Sequence, residues 1–285
     1  MGVAAVGTLL PGAACQNAAM NLAIVATVVL GLALDRNWVQ HGQAAASAGA
    51  WLVCLALFTR SARTTRVSLA ACLALATAGE VVLSLAWGLY RYRLGNIPLF
   101  VPPGHVLLFF LGTQLAGRVP ERGAGIVALL ALPLVALLAW TGRDTLGPLL
   151  YALFLACLWL SPSRRLYATM FVLSLAMELY GTWLGNWTWS ARVPGLGLSA
   201  ANPPLAAGAF YCVLDLLVTA ITVTLEKRSA AGEPGLMTER RLAPRGDAQR
   251  VLVLAVAADD LEAERQAAQA AAGGNRHRGH RGLRP

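Results

Sequence analysis

A chain of 285 residues with 57% apolar residues, 13% charged residues and a mean hydropathy of +0.58 is too apolar for a water-soluble domain, where about 25% of residues carry charge. The net charge of +9 invites a nucleic-acid partner. The arginines, however, sit in short loops and in the tail, which is the pattern of membrane orientation rather than of a phosphate-tracking groove. The expected partner is a lipid bilayer, and no nucleic acid is expected.

Residues 1–17 read as an N-terminal extension. They lack the basic segment of a signal peptide, and Met20 is an alternative start. A bilayer core of about 30 Å takes about 20 mostly apolar residues as a helix. Eight candidates follow, at 18–35, 43–59, 67–90, 104–118, 123–141, 145–161, 166–186 and 205–225. The fourth and sixth are short. The fold class expected is all-α transmembrane, with about eight helices in two parallel four-helix repeats, 18–118 and 119–225. The segment 226–285 holds eleven of the 23 Lys and Arg and eight of the 14 Asp and Glu. It reads as a largely disordered cytoplasmic tail. His277 and His280 in it lack companions for a metal site. The cysteines Cys15, Cys54, Cys72, Cys157 and Cys212 stand in apolar stretches without ligand spacing. No metal and no cofactor is called for.

Arginine sets the orientation. Even-numbered connections hold Arg60, Arg63, Arg66, Arg118, Arg122, Arg164 and Arg165; odd-numbered ones hold Arg36, Arg91, Arg93, Arg143 and Arg192. With Lys227 and Arg228 past the last helix, the balance predicts a multi-pass protein of a bacterial-type inner membrane with a cytoplasmic C-terminus. The connections after the third and seventh helices then face outward. Trp183, Trp187 and Trp189 there read as an interfacial belt, and Tyr90 and Tyr180 as anchors.

The repeat rests on one match. "VVLSLAWGLYRYRLGN" (81–96) aligns without a gap on "FVLSLAMELYGTWLGN" (171–186), with ten of sixteen positions identical. Downstream, "PPGHVLLFFLGTQL" (102–115) aligns on "PPLAAGAFYCVLDL" (203–216). An even number of helices per unit keeps the copies parallel, related by an axis along the membrane normal. In each copy Gly-Asn is expected to end a helix in a left-handed turn and Pro-Pro to start the next.

Charge inside a span is a functional-site hypothesis. Glu80, Glu178 and Asp215 lie about 12–16 Å along their helices from the outer loops, at a depth that allows one shared cavity. Each shares a helical face with small, hydroxyl or aromatic residues, such as Ser174 and Gly181 beside Glu178. These acids, with His105 after Pro102-Pro103-Gly104, are the candidates for proton transfer. The bland reading is a protonated, hydrogen-bonded packing carboxyl. Arg91, Arg93, Asn96, Asn186, Arg192, Asn202 and Tyr211 are the candidates for holding a small-molecule or lipid substrate. Arginines at such a rim also snorkel or bind lipid phosphate.

The set Tyr90-x-Tyr92, Leu94-Gly95-Asn96 and Pro98-Leu99-Phe100-Val101-Pro102-Pro103-Gly104 resembles polytopic bacterial membrane proteins of unassigned role. More distantly it resembles the carotenoid hydratase and lycopene cyclase membrane families, which have intramembrane glutamates and Gly/Tyr/Pro-rich interhelical loops. That resemblance implies a membrane-embedded enzyme with acid chemistry on an isoprenoid. Duplication and midplane carboxylates point first to a transporter or permease. A structural scaffold is the third reading. Oligomeric state is left open.

Overall fold

The computed structural model describes residues 11–231; most of the predicted extension and most of the predicted tail, with His277 and His280, lie outside them. Eight α-helices occur among the described residues: α1 (Pro11–Asn37), α2 (Gly42–Arg60), α3 (Arg63–Glu80), α4 (Val101–Ala116), α5 (Gly123–Trp140), α6 (Gly147–Leu160), α7 (Arg164–Leu184) and α8 (Gly208–Ala231). A π-helical turn, Val81–Ala86, continues α3, and two short strands, β1 (Tyr90–Tyr92) and β2 (Trp187–Trp189), follow α3 and α7. The predicted helices are all present within a few residues. The exceptions are α1 and the third helix: α1 begins inside the predicted extension, and the third ends short of Tyr90. The last helix also runs past 225, into the segment read as tail.

Among the described residues, five helices or helical runs are long and apolar enough to cross a membrane: Ala18–Asn37, Gly42–Arg60, Arg63–Ala86, Gly123–Trp140 and Gly208–Leu225. Val101–Ala116 and Gly147–Leu160 are apolar but shorter. The outer surface matches that composition. Leu129 and Leu22 are each 70% exposed and Trp140 is 91% exposed. Such a surface is a liability in water and ordinary solvation in lipid. This is the build of a membrane-associated protein.

Local chemistry explains the helix ends. Pro102 and Pro103 open α4, where missing donors cost nothing. Asp144 Oδ1 accepts from Gly147 N at 3.0 Å at the head of α6, and its Oδ2 accepts from Leu205 N at 3.0 Å. Burial pushes the Asp144 carboxyl above its ordinary range, and these backbone N–H groups pull it back. Gly185, at φ +77°, closes α7 in the left-handed region, and Asn186 N donates to Gly181 O at 2.9 Å. That half of the Gly-Asn expectation holds. In the first copy the chain leaves the helix earlier, at Gly88 with φ +75°, and Gly95 serves a turn after β1 instead.

The sixteen-residue match therefore does not describe equivalent structure throughout: residues 90–92 are strand, whereas their aligned partners 180–182 are helix. The physical reason is Gly88, which stands opposite Glu178 in that alignment and releases the chain from its helix. What the two loops do share is their pairing. β1 and β2 run antiparallel, with Tyr90 opposite Trp189, Arg91 opposite Thr188 and Tyr92 opposite Trp187. The ends of α3 and α7 therefore lie on the same side of the bundle. Ser190 N donates to Leu89 O and Arg93 N to Asn186 O, extending the ribbon at both ends.

Beneath it, α4 packs against α1, α2, α3 and α7, and α8 packs against α3, α6 and α7. The second half is pinned by Phe154 stacked on Phe171 with ring centroids 4.2 Å apart.

Candidate functional site

The ribbon builds the site. Successive strand side chains face opposite ways, and both strands alternate buried, exposed, buried. Tyr90, Tyr92, Trp187 and Trp189 are thereby turned into the bundle, and Arg91 and Thr188 are turned out. The inward aromatics meet the two glutamates. Tyr90 and Tyr92 donate their hydroxyls to Glu80 Oε2 at 2.9 and 2.7 Å. Trp187 and Trp189 donate their indole N–H groups to Glu178 Oε2 at 2.8 and 3.0 Å. Glu80 stands ten residues before its tyrosine and Glu178 nine before its tryptophan. The odd residue lies in the link to the strand: three residues separate the π-helical turn after Glu80 from β1, and two separate the end of α7 from β2.

His105 lies next to this pair of carboxyls. Its Nε2 is 3.5 Å from Glu80 Oε1, and its Nδ1 is 3.0 Å from the Val101 carbonyl one turn back on α4. Its ring stacks on Tyr211, with centroids 5.1 Å apart and planes 8° from parallel. The Tyr211 phenol faces Glu178. Gly181 gives the Trp187 ring its room, since a Cβ there would stand 1.9 Å from Trp187 Cη2.

These groups line a cavity of about 450 Å³. Its polar lining includes Glu80, Glu178, His105, Tyr90, Tyr92 and Tyr211, with Thr27, Trp187 and Trp189; Ala, Gly, Val, Leu and Phe residues, chiefly from α1, α2, α3, α4 and α8, form most of the remainder. None of the described lining residues is Lys or Arg. The lining includes Val82 and Leu217, which are 54% and 45% exposed. The cavity thus reaches the apolar outer surface of the bundle beside α3 and α8.

Of the candidates from sequence, the structure brings together Glu80, Glu178, His105 and Tyr211. It separates Asp215, which is fully buried but lines no part of the cavity. Neither Asp215 carboxyl oxygen has a hydrogen-bond partner, and its electrostatic neighbours include Cys72, Cys157, Cys212 and Tyr167. The idea of three acids in one cavity is corrected to two. Asp215 lies on α8 one turn past Tyr211, and it is Tyr211 that reaches the cavity.

Arg93 and Asn186 are committed elsewhere. Arg93 Nη2 pairs with Asp35 Oδ1 at 3.1 Å, and Asn186 Nδ2 donates to Asp35 Oδ2 at 2.6 Å and to Leu32 O at 3.0 Å. Asn202 Oδ1 accepts from Trp189 N at 2.9 Å, so it braces the ribbon. Asn96 is exposed and donates to Gln43 Oε1 at 3.2 Å. Arg192 is exposed and forms a backbone bridge to Ser199. Arg91 is exposed on the outer face of β1. None of these six lines the cavity.

The tryptophans require the largest correction. Trp187 and Trp189 are buried, at 6% and 5% exposure, and only Trp183 of the three, at 79%, suits an interfacial belt. The missed signal was the spacing. Tyr-x-Tyr and Trp-x-Trp each place two aromatics on one face of an extended strand. Among the described residues no cluster of His, Cys, Asp or Glu has the make-up of a metal site. No family model matches the chain, and no curated protein or solved structure matches it either.

Proposed function

We propose that this is a membrane-embedded enzyme that performs acid-initiated chemistry on a carbon–carbon double bond of an apolar, isoprenoid-type lipid. The observation that carries this reading is the cavity: two glutamates, each held by aromatic donors, face an apolar pocket that opens sideways. A lipid-soluble chain enters such a pocket from the bilayer without crossing water. The protonated carboxyl places its proton on one alkene carbon, whose π pair becomes the new C–H bond. The neighbouring carbon becomes a cation, and the other carboxylate and the aromatic faces stabilise it. Loss of a neighbouring proton to a carboxylate completes an isomerisation; attack by a second double bond moves the cation into a ring and addition of water gives a protonated alcohol, and in both cases proton loss to a carboxylate then yields the neutral product. The sequence resemblance to carotenoid hydratase and lycopene cyclase families supports the same substrate class.

Transport draws on the same carboxylates but needs a polar path through the bundle. The aliphatic lining between the glutamates and the side opening favours the enzyme. The proposed topology has eight spans in a bacterial-type inner membrane, with the ribbon outside and the C-terminus in the cytoplasm.

The test is lipid profiling of host cells that make linear polyenes, expressing the wild type, Glu80→Gln or Glu178→Gln. The expected result is a new product, an isomer, a ring or a hydrate of the polyene, that either variant abolishes. An unchanged lipid profile, with proton or cation flux through liposomes holding the purified protein, would replace the enzyme with a transporter.

A further inference from the structure

Glu80 and Glu178 occupy matching places: each stands on a helix that leads into one strand of the ribbon, and each Oε2 accepts two donors from that strand. The donors differ in kind. An indole N–H only donates, whereas a phenol hydroxyl both donates and accepts. Glu178 Oε2 spends its lone pairs on Trp187 and Trp189, so that oxygen carries no proton. Glu80 Oε2 meets the hydroxyls of Tyr90 and Tyr92, which rotate to suit a carboxylate or a carboxylic acid.

His105 adds a second difference. The carbonyl of Val101, 3.0 Å from Nδ1, can only accept, so Nδ1 bears hydrogen. The neutral ring then presents the bare Nε2 to Glu80 Oε1 at 3.5 Å, a spacing that one shared proton bridges on tightening. Tyr211 stacks on the other ring face and points its phenol to Glu178.

We infer that the two glutamates have divided proton roles: the Glu80–His105 pair holds the proton that the site gives and takes back, and Glu178 is a fixed acceptor facing developing positive charge. This rests on reading the cavity as a site of acid chemistry, but it concerns where a proton sits and is tested without substrate.

The experiment is side-chain nitrogen NMR of the full chain, labelled with 15N-histidine, in lipid nanodiscs. The His105 signals are those lost in His105→Asn. The expected result is hydrogen on Nδ1, as the neutral tautomer or as the imidazolium formed when the proton leaves Glu80. Glu80→Gln then shifts the Nε2 resonance, and Glu178→Gln leaves it in place. Hydrogen on Nε2 alone overturns the assignment. So does an Nε2 resonance unmoved by Glu80→Gln, or one moved as far by Glu178→Gln. The tautomer is read on unmodified protein, so it does not depend on a variant folding. A supporting tautomer with no lipid product would retire the enzyme reading and leave the proton assignment standing.

Discussion

Two side chains show how burial and function separate at the scale of single residues. Gly181 is a glycine because Trp187 occupies the place of its side chain. Gly181→Leu is expected to push the indole away from Glu178 and to cost about 1–3 kcal/mol by overpacking. Product formation should fall with the loss of the Trp187 bond, read beside thermal unfolding in detergent. Asp215 is the opposite case, a buried carboxyl without a protein partner and away from the cavity. An unpaired buried polar group costs stability, and an apolar replacement of similar size removes that cost. Asp215→Val is expected to unfold at an equal or higher temperature than the wild type and to keep product formation. Loss of product with retained folding would bring Asp215 back into the proton pathway.

At the scale of elements, the ribbon is held by groups that sequence reading assigned to substrate. Asp35, 1% exposed at the C-terminal end of α1, receives Arg93 from the segment that leaves β1 and Asn186 from the segment that enters β2. This clamp fixes α1 to the ribbon and so sets one wall of the cavity. Arg93→Met would leave the Asp35 carboxylate buried without its cation, and breaking such a pair costs about 3–5 kcal/mol. The expected outcome is a marked fall in the unfolding temperature, largely restored in the Asp35→Asn, Arg93→Met double variant, where no charge is left unpaired. A fall of the same size in the double variant would assign the loss to packing alone. The α-helices themselves were legible in the sequence, because long apolar runs bounded by Pro, Gly and Arg leave little choice. The π turn was not, since nothing in "VVLSLA" distinguishes one extra residue from a regular helix.

For the whole molecule, the pairing of β1 with β2 places the ends of α3 and α7 on one side. With the arginine balance, this gives a topology that reporters check directly. Fusions after Arg63 and after Arg228 are expected in the cytoplasm, and insertions near Arg93 and Arg192 outside. An external reporter at Arg228 would invert the protein and open the ribbon side to the cytoplasm. Glu80 with Tyr90 and Tyr92, and Glu178 with Trp187 and Trp189, play matching parts at positions that the "LYxxxLGN" alignment does not pair.

The sequence by itself determined the apolar, membrane-type composition, the eight helices of the described residues and the glutamates placed within apolar helices, since each follows from local composition and helical period. It also singled out His105 and Tyr211. Only the tertiary structure decided that two loops about a hundred residues apart pair as strands and turn their aromatics inward. The reason is that a three-residue strand carries too short a period to announce itself, and its stability comes from the partner strand. The same holds for Asp35, Arg93 and Asn186. A charge shows in the sequence, but whether it meets a substrate or another side chain depends on which elements pack beside it.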